Sequence, residues 1–123
     1  MNLGQCHNFS DFRTLAKKRL PGPIFHYIDG AADDEVTYKR NSQSFNDVDL
    51  VTNVLAGVEE LDMSTKIMGQ ELSMPFYCAP TALQRLFHHE GERAVAKAAS
   101  SAGTMFGVSS LATVTVEDIA KIS

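Results

Sequence analysis

The chain has 123 residues, of which 44% are hydrophobic and 21% charged, and its formal net charge is -4. This composition is typical of a soluble globular protein of about one domain, and the acidic balance gives no electrostatic case for nucleic-acid binding. No apolar run reaches the roughly 18 residues that a membrane span needs. The N-terminus shows no signal-peptide pattern, and two cysteines are too few for a disulfide framework, so the cytoplasm is the expected compartment.

Three helices are predicted in the first part of the chain. Their limits are Asp11–Arg19, Ile24–Asp29, and a third helix from Asp33 or Asp34 to about Phe45. Ser10 can cap the first helix, because its hydroxyl can accept a hydrogen bond from the first turn. The third helix is mostly polar, so we expect it on the surface. A further extended segment is expected over Asp49–Val54.

The second part of the chain alternates between strand and helix patterns. A hairpin with a glycine turn over Thr65–Met74 is followed by a buried strand at Met74–Ala79, a helix at Glu92–Ala102, a second strand at Thr104–Ser109 and a helix capped by Thr115. This alternation predicts a parallel sheet, and the spacing fits the strand-helix unit of a barrel. The inward face of the first of these helices is predicted to carry Ala94, Val95, Ala98 and Ala99. Cys78, within the first strand, is expected to behave as a small buried hydrophobe.

Both predicted strands end in segments that are typical of ligand-binding loops. The first strand continues into Pro80-Thr81-Ala82, and the second ends at Ser109-Ser110. Because the carboxyl ends of parallel strands meet at one edge, we expect both segments to present backbone groups and hydroxyls there. From the residues alone, an ordinary turn and a serine bonded to its own backbone are equally good explanations.

Two further groups of residues favour structural roles when taken alone. Tyr27 follows Phe25 on a short helix, which is typical of an amphipathic core tyrosine. The adjacent His88 and His89 point in different directions on any regular element, and no third ligand is spaced for zinc. A solvated helix start is therefore the preferred interpretation of the histidine pair.

Several linked motifs resemble one enzyme family. Pro23–Asp33 resembles the N-terminal helix motif of FMN-dependent α-hydroxy acid dehydrogenases and oxidases, and Ser73–Ala82 is similar to the first barrel strand of that family. The match continues in family order through His89–Glu92, Ala102–Thr104 and Ser109–Thr113. It covers Ser10 to Ser123, and its Phe-His-Tyr form is most similar to the L-lactate dehydrogenase branch.

The resemblance implies a fold, a cofactor and site residues. The fold class would be α/β, with N-terminal helices and the first two β/α units of an incomplete TIM (β/α)8 barrel, so that residues 1–123 are the N-terminal portion of one domain. FMN would be the cofactor and a 2-hydroxy acid such as L-lactate the substrate, oxidised to the 2-oxo acid. Tyr27 would bind the substrate. The residues implied to contact FMN are Pro80, Thr81, Ala82 and Ser109.

The resemblance also implies what these residues lack. The family's catalytic histidine, its flavin-facing lysine and its substrate-binding arginines lie on later strands, and His88 and His89 do not match the catalytic histidine. The last residues form an amphipathic helix pattern without a capping glycine, so we expect an interrupted sequence. The alternative hypothesis is an inactive truncated or split-gene fragment. A complete protein could self-associate as a homo-oligomer, and a peripheral position at the inner membrane is an alternative to the free cytoplasm.

Overall fold

The computed structural model describes residues 2–122, so Met1 and Ser123, the two ends of the predicted domain, lie outside the described residues. The chain folds into two compact units, Met1–Gly57 and Val58–Ser123. Among the described residues, no helix has both the length and the apolar character required to cross a membrane.

The first unit is helical. After a short 3-10 turn, it contains α1 at Phe9–Arg19, α2 at Gly22–Asp29 and α3 at Val36–Asn46. The predicted extended segment at Asp49–Val54 forms no regular element. Leu15 of α1 and Phe25 of α2 are the buried apolar side chains of this unit.

The start of α1 differs from the predicted one. Asn8, rather than Ser10, is the N-cap, and its side-chain oxygen accepts a hydrogen bond of 3.0 Å from the backbone N–H of Asp11. The Asp11 carboxylate in turn accepts a bond of 3.0 Å from the N–H of His7. This reciprocal pair satisfies two backbone donors near the helix start, which explains why α1 begins before Ser10.

One ion pair links α1 and α2. Arg13 donates to both carboxylate oxygens of Asp29, with 2.8 Å between Nη2 and Oδ2. Bidentate pairing of this kind fixes orientation as well as distance. The hydrogen bond from Arg13 holds the pKa of Asp29 below its usual value.

The predicted caps of α3 are wrong. Neither Asp33 nor Asp34 caps the helix, because the N-cap is Glu35, which lies in the left-handed region with φ of 58°. Its carboxylate accepts a bond from the N–H of Ala31 instead of from α3. No side chain in α3 is buried, in agreement with its polar sequence.

The second unit contains the predicted hairpin, but its turn is formed by Met68 and Gly69, one residue earlier than the predicted turn at Gly69 and Gln70. Strands β1 (Thr65–Ile67) and β2 (Gln70–Leu72) pair antiparallel, with Ile67 opposite Gln70. The two turn residues, Met68 and Gly69, have φ of 51° and 85°. Positive φ at both central positions is the conformation that suits the twist of a two-residue hairpin.

Two helices follow the hairpin, α4 at Glu92–Ser101 and α5 at Val116–Ala120. Gly103 ends α4 with φ of 65°, its N–H bonded to the carbonyl of Ser100, while Thr104 donates to Ala99. This is the Schellman arrangement, which the sequence signalled by its glycine. Thr115 caps α5 as predicted, accepting from the N–H of Asp118. The core of this unit consists of Ala96, Val114 and Ile119, with Phe106, Val108 and Ile122 packed against it.

The two predicted buried strands are not formed as strands. The only strand pairing between Met74–Ala79 and Thr104–Ser109, all of them described residues, is an isolated parallel bridge between Cys78 and Phe106. The Thr104 hydroxyl also donates to the carbonyl of Phe76. The backbone N–H of Ser73 donates to the carbonyl of Gly103, and the N–H of Cys78 donates to the carbonyl of Met105. Between these two hydrogen bonds, the first segment is five residues long and the second only two. The first segment must therefore bulge outward, and Pro75 within the bulge has no N–H for a ladder. The direction is parallel as expected, whereas the ladder is not continuous.

Burial also differs from the prediction, both in the first segment and on α4. Residues 75–79 are all exposed, so the first segment is not a buried strand, and Cys78 is not a buried hydrophobe. On α4, Ala98 is exposed, whereas Ala96 is buried at 2% exposure. The inward face is thus rotated toward α5, since Ala96 belongs to the core that contains Ile119.

Candidate functional site

The first candidate loop, which we call turn A, comprises residues 79–84 and follows the bulged segment. Pro80 is exposed, Thr81 and Ala82 are half-buried, and Gln84 is buried. The Gln84 side chain donates to the Thr81 carbonyl at 3.2 Å. Within the described residues, the N–H groups of Thr81 and Ala82 and the Thr81 hydroxyl have no hydrogen-bond partner. Turn A therefore presents polar groups that a ligand can satisfy.

The second candidate loop, turn B, comprises residues 109–113. The Ser109 hydroxyl oxygen accepts a bond of 3.2 Å from the N–H of Leu111, and the Ser109 carbonyl accepts from Ala112 at 3.0 Å. A hydroxyl that accepts one bond still carries its own hydrogen for donation. Ser109 is thus held by its own loop, as the structural interpretation predicts, and keeps a donor for a ligand.

Turns A and B lie side by side. The N–H of Gly107 donates to the carbonyl of Cys78 at 2.9 Å just before the turns, and Leu83 donates to Leu111 at 3.1 Å between them. The structure therefore brings Pro80, Thr81 and Ala82 next to the loop of Ser109, at one edge of the two parallel segments.

A buried carboxylate accepts hydrogen bonds from both turns. Glu92, the first residue of α4, has 0% exposure. Its Oε1 accepts from the N–H of Gln84 at 3.3 Å and from the N–H of Thr113 at 2.8 Å, and its Oε2 accepts from the Thr113 hydroxyl at 2.6 Å. Burial raises the pKa of Glu92, but the bonds from Thr113 and Gln84 outweigh it, so the pKa lies below its usual value.

Sequence reasoning did not single out Glu92 or Gln84. Glu92 was recognised only as part of a helix start, and its burial depends on backbone groups of two loops that lie 8 and 21 residues away. No local pattern signals such a contact.

Tyr27 lies in the first unit, on α2, and its side chain is 54% exposed. The alternative of a core tyrosine is therefore wrong, since the buried position of α2 is taken by Phe25 at 5% exposure.

The histidine pair does not form part of a metal cluster. The rings of His88 and His89 stack at 4.4 Å, and the His89 side chain is 81% exposed. Within residues 2–122, no three His, Cys, Asp or Glu side chains are arranged to hold a metal ion.

Known proteins resemble this chain over nearly its whole length. The family model described as FMN-dependent dehydrogenase matches residues 16–123. Glycolate oxidase of Spinacia oleracea is 40% identical over 113 residues, covering 92% of this chain and 31% of the relative. A predicted L-lactate dehydrogenase of Mycobacterium tuberculosis is 40% identical over 117 residues, covering 95% and 28%.

A solved structure of a third enzyme is also similar to this chain. The crystal structure of mandelate oxidase superposes with a TM-score of 0.86 at 33% identity, covering 93% of this chain and 33% of that one. The chain spans about a third of the length of the curated relatives it matches. Because the family model covers most of its residues, the chain belongs to the FMN-dependent dehydrogenase family.

Proposed function

We propose that this chain is the N-terminal third of an enzyme that oxidises L-lactate, or a closely related 2-hydroxy acid, to the 2-oxo acid. The relatives named above are enzymes of glycolate, lactate and mandelate, which are all 2-hydroxy acids. The choice of L-lactate rests on the Phe25-His26-Tyr27 form of the N-terminal helix. The complete protein is here the enzyme that contains these 123 residues and the remaining barrel.

The cofactor of the family is FMN, and the residues of turns A and B are chemically suited to it. The single observation that carries this assignment is the side-by-side arrangement of two turns with unpaired donors. The N–H groups of Thr81 and Ala82 and the hydroxyls of Thr81 and Ser109 can donate to the polar edge of a flavin ring. The Pro80 ring offers an exposed apolar surface beside them, and the small side chain of Ala82 allows close approach.

In the proposed reaction, the substrate loses two protons, one from its α-carbon and one from its hydroxyl, together with two electrons. FMN, when bound, supplies the chemistry by accepting the two electrons. The contribution of this chain is to hold the flavin through turns A and B and to orient the acid through Tyr27. A phenol can donate to a carboxylate without carrying a charge of its own, which suits a site for a small anionic substrate.

The substrate is tested with the complete protein loaded with FMN and mixed without oxygen with L-lactate, glycolate or mandelate. Loss of the flavin's visible absorption and formation of the 2-oxo acid are followed together. We expect kcat/KM for L-lactate to exceed that for glycolate by about 10–200-fold, the usual value of one methyl group in an apolar pocket. A higher kcat/KM for glycolate or mandelate would refute the assignment of L-lactate as the substrate. If none of the three acids reduced the flavin, the proposed oxidation of 2-hydroxy acids would itself be refuted.

A further inference from the structure

Glu92 is a fully buried carboxylate without a cationic partner among the described residues. The ion pairs of residues 2–122 involve Asp29, Glu71, Glu90 and Asp118, but not Glu92. Burying a charge costs several kcal/mol unless other groups compensate. Here three donors from turns A and B compensate, and the backbone N–H of Glu92 itself adds a further hydrogen bond.

The contacts of Glu92 continue directly to the groups proposed to hold FMN. On one side, Gln84 donates its N–H to Glu92 and its side-chain amide to the carbonyl of Thr81. On the other side, Thr113 gives Glu92 two bonds and closes the loop that begins at Ser109. Glu92 Oε1 accepts one backbone N–H from each turn, so this atom links the turns in addition to the direct hydrogen bond between Leu83 and Leu111.

The Thr113 hydroxyl is held by a second contact. The N–H of Arg85 donates to it at 3.3 Å, so this hydroxyl accepts from Arg85 while it donates to Glu92. A Cβ placed on Gly91 would lie 2.5 Å from Cγ of Arg85 and 3.4 Å from the Thr113 hydroxyl, so Gly91 packs closely against both residues.

We propose that Glu92 is a positioning residue for the flavin: its carboxylate, through Gln84 and Thr113, acts together with the Leu83–Leu111 bond to set the distance between the two turns that bind FMN. The inference rests on the proposed function, because it assumes that turns A and B contact FMN. Glu92 does not touch the flavin itself, and its effect should appear in the affinity for FMN.

The test uses paired variants of Thr113 in the complete protein. Thr113→Val keeps the shape and removes the hydroxyl that donates to Glu92, whereas Thr113→Ser keeps the hydroxyl. Ile119→Val is the stability control, because it truncates a core side chain of the same unit that belongs to neither turn. The Kd for FMN is measured by titrating the apoprotein, with the flavin absorption spectrum and the melting temperature of each variant.

We expect Thr113→Val to weaken FMN binding about tenfold, the effect of losing about 1.4 kcal/mol of a charged hydrogen bond. Thr113→Ser should remain within about twofold of the parent. Glu92→Gln should also weaken FMN binding, because its amide directs a donor at the Thr113 hydroxyl. Ile119→Val should lower the melting temperature without changing the Kd.

The same experiment separates this inference from the proposed function. Ser109→Ala and Thr81→Val are titrated beside the Thr113 variants. If they leave the Kd for FMN unchanged, the assignment of the turns is wrong, and the role of Glu92 falls with it. If they weaken FMN binding while Thr113→Val has no greater effect than Ile119→Val, the turns bind FMN and only the positioning role of Glu92 is refuted.

Discussion

Gly107 lies so closely against the ring of Pro80 that a side chain on Gly107 would fit only if its neighbours moved by a few tenths of an ångström. A Cβ on Gly107 would be 3.0 Å from Cδ of Pro80 and 3.4 Å from the carbonyl oxygen of Cys78. Gly107 does not have a positive φ, so space, rather than backbone conformation, requires glycine here. This contact fixes turn A against the segment that leads to Ser109.

Gly107→Ala should therefore destabilise the complete protein by about 1–3 kcal/mol, the usual effect of overpacking, and weaken FMN binding through Pro80. Denaturant unfolding and an FMN titration measure the two effects. Gly22→Ala is the matched control, because a Cβ added there would meet nothing within 4 Å and the φ is not positive. Equal behaviour of the two variants would contradict the role of packing at Gly107.

Local features of the fold could be predicted from the sequence. The hairpin turn, the glycine that ends α4 and the Thr115 cap each depend on residues within a few positions of one another. The parallel direction of the two extended segments followed from the alternation of strand and helix patterns. The adjacency of the two turns followed from the same alternation.

Features that depend on distant residues could not be predicted. The continuous strand at Met74–Ala79 failed because its hydrogen bonds skip residues of the partner segment, which no alternation of residues reveals. The burial of Glu92 needs amides from both turns, so a charged residue at a helix start gave no sign of it. The roles of Tyr27, Pro80, Thr81, Ala82 and Ser109 stay predictions.

Tyr27→Phe should reduce turnover of the hydroxy acid and leave FMN binding nearly unchanged. Loss of one hydrogen bond to the substrate costs roughly 0.5–3 kcal/mol, which corresponds to a decrease in kcat/KM of up to about a hundredfold. Steady-state kinetics with L-lactate and an FMN titration of the same variant measure both quantities. Tyr38→Phe is the control, since that tyrosine lies on α3 and carries no proposed role. Unchanged kinetics in Tyr27→Phe would exclude substrate binding by its hydroxyl.

Glu92→Gln should make the complete protein less sensitive to acid. The pKa of Glu92 is lowered in the folded state, so the unfolded state binds more protons and stability rises with pH. This contribution is present above the ordinary glutamate pKa of about 4.3 and is lost as the pH falls through the lower folded value. Melting temperatures of parent and variant between about pH 3 and 7 should differ most at neutral pH. A constant difference across this range would contradict the ionised state of Glu92.

The 123-residue chain alone should bind FMN only weakly. Turns A and B offer four unpaired donors, and about 1 kcal/mol for each gives a Kd no tighter than about 1 mM. Titration of the chain into FMN, followed by flavin fluorescence, measures the affinity. Saturation at micromolar concentrations would mean that the described residues hold more of the flavin than the two turns.

The most direct test of the flavin site compares two neighbouring serines of turn B, Ser109 and Ser110, in the complete protein. Ser109 is half-buried and proposed to donate to FMN, whereas Ser110 is exposed and has no assigned role. We expect Ser109→Ala to raise the Kd for FMN about tenfold, while Ser110→Ala stays within about twofold of the parent. An unchanged Kd in Ser109→Ala, or an equal loss in both variants, would contradict the claim that turns A and B form the flavin site.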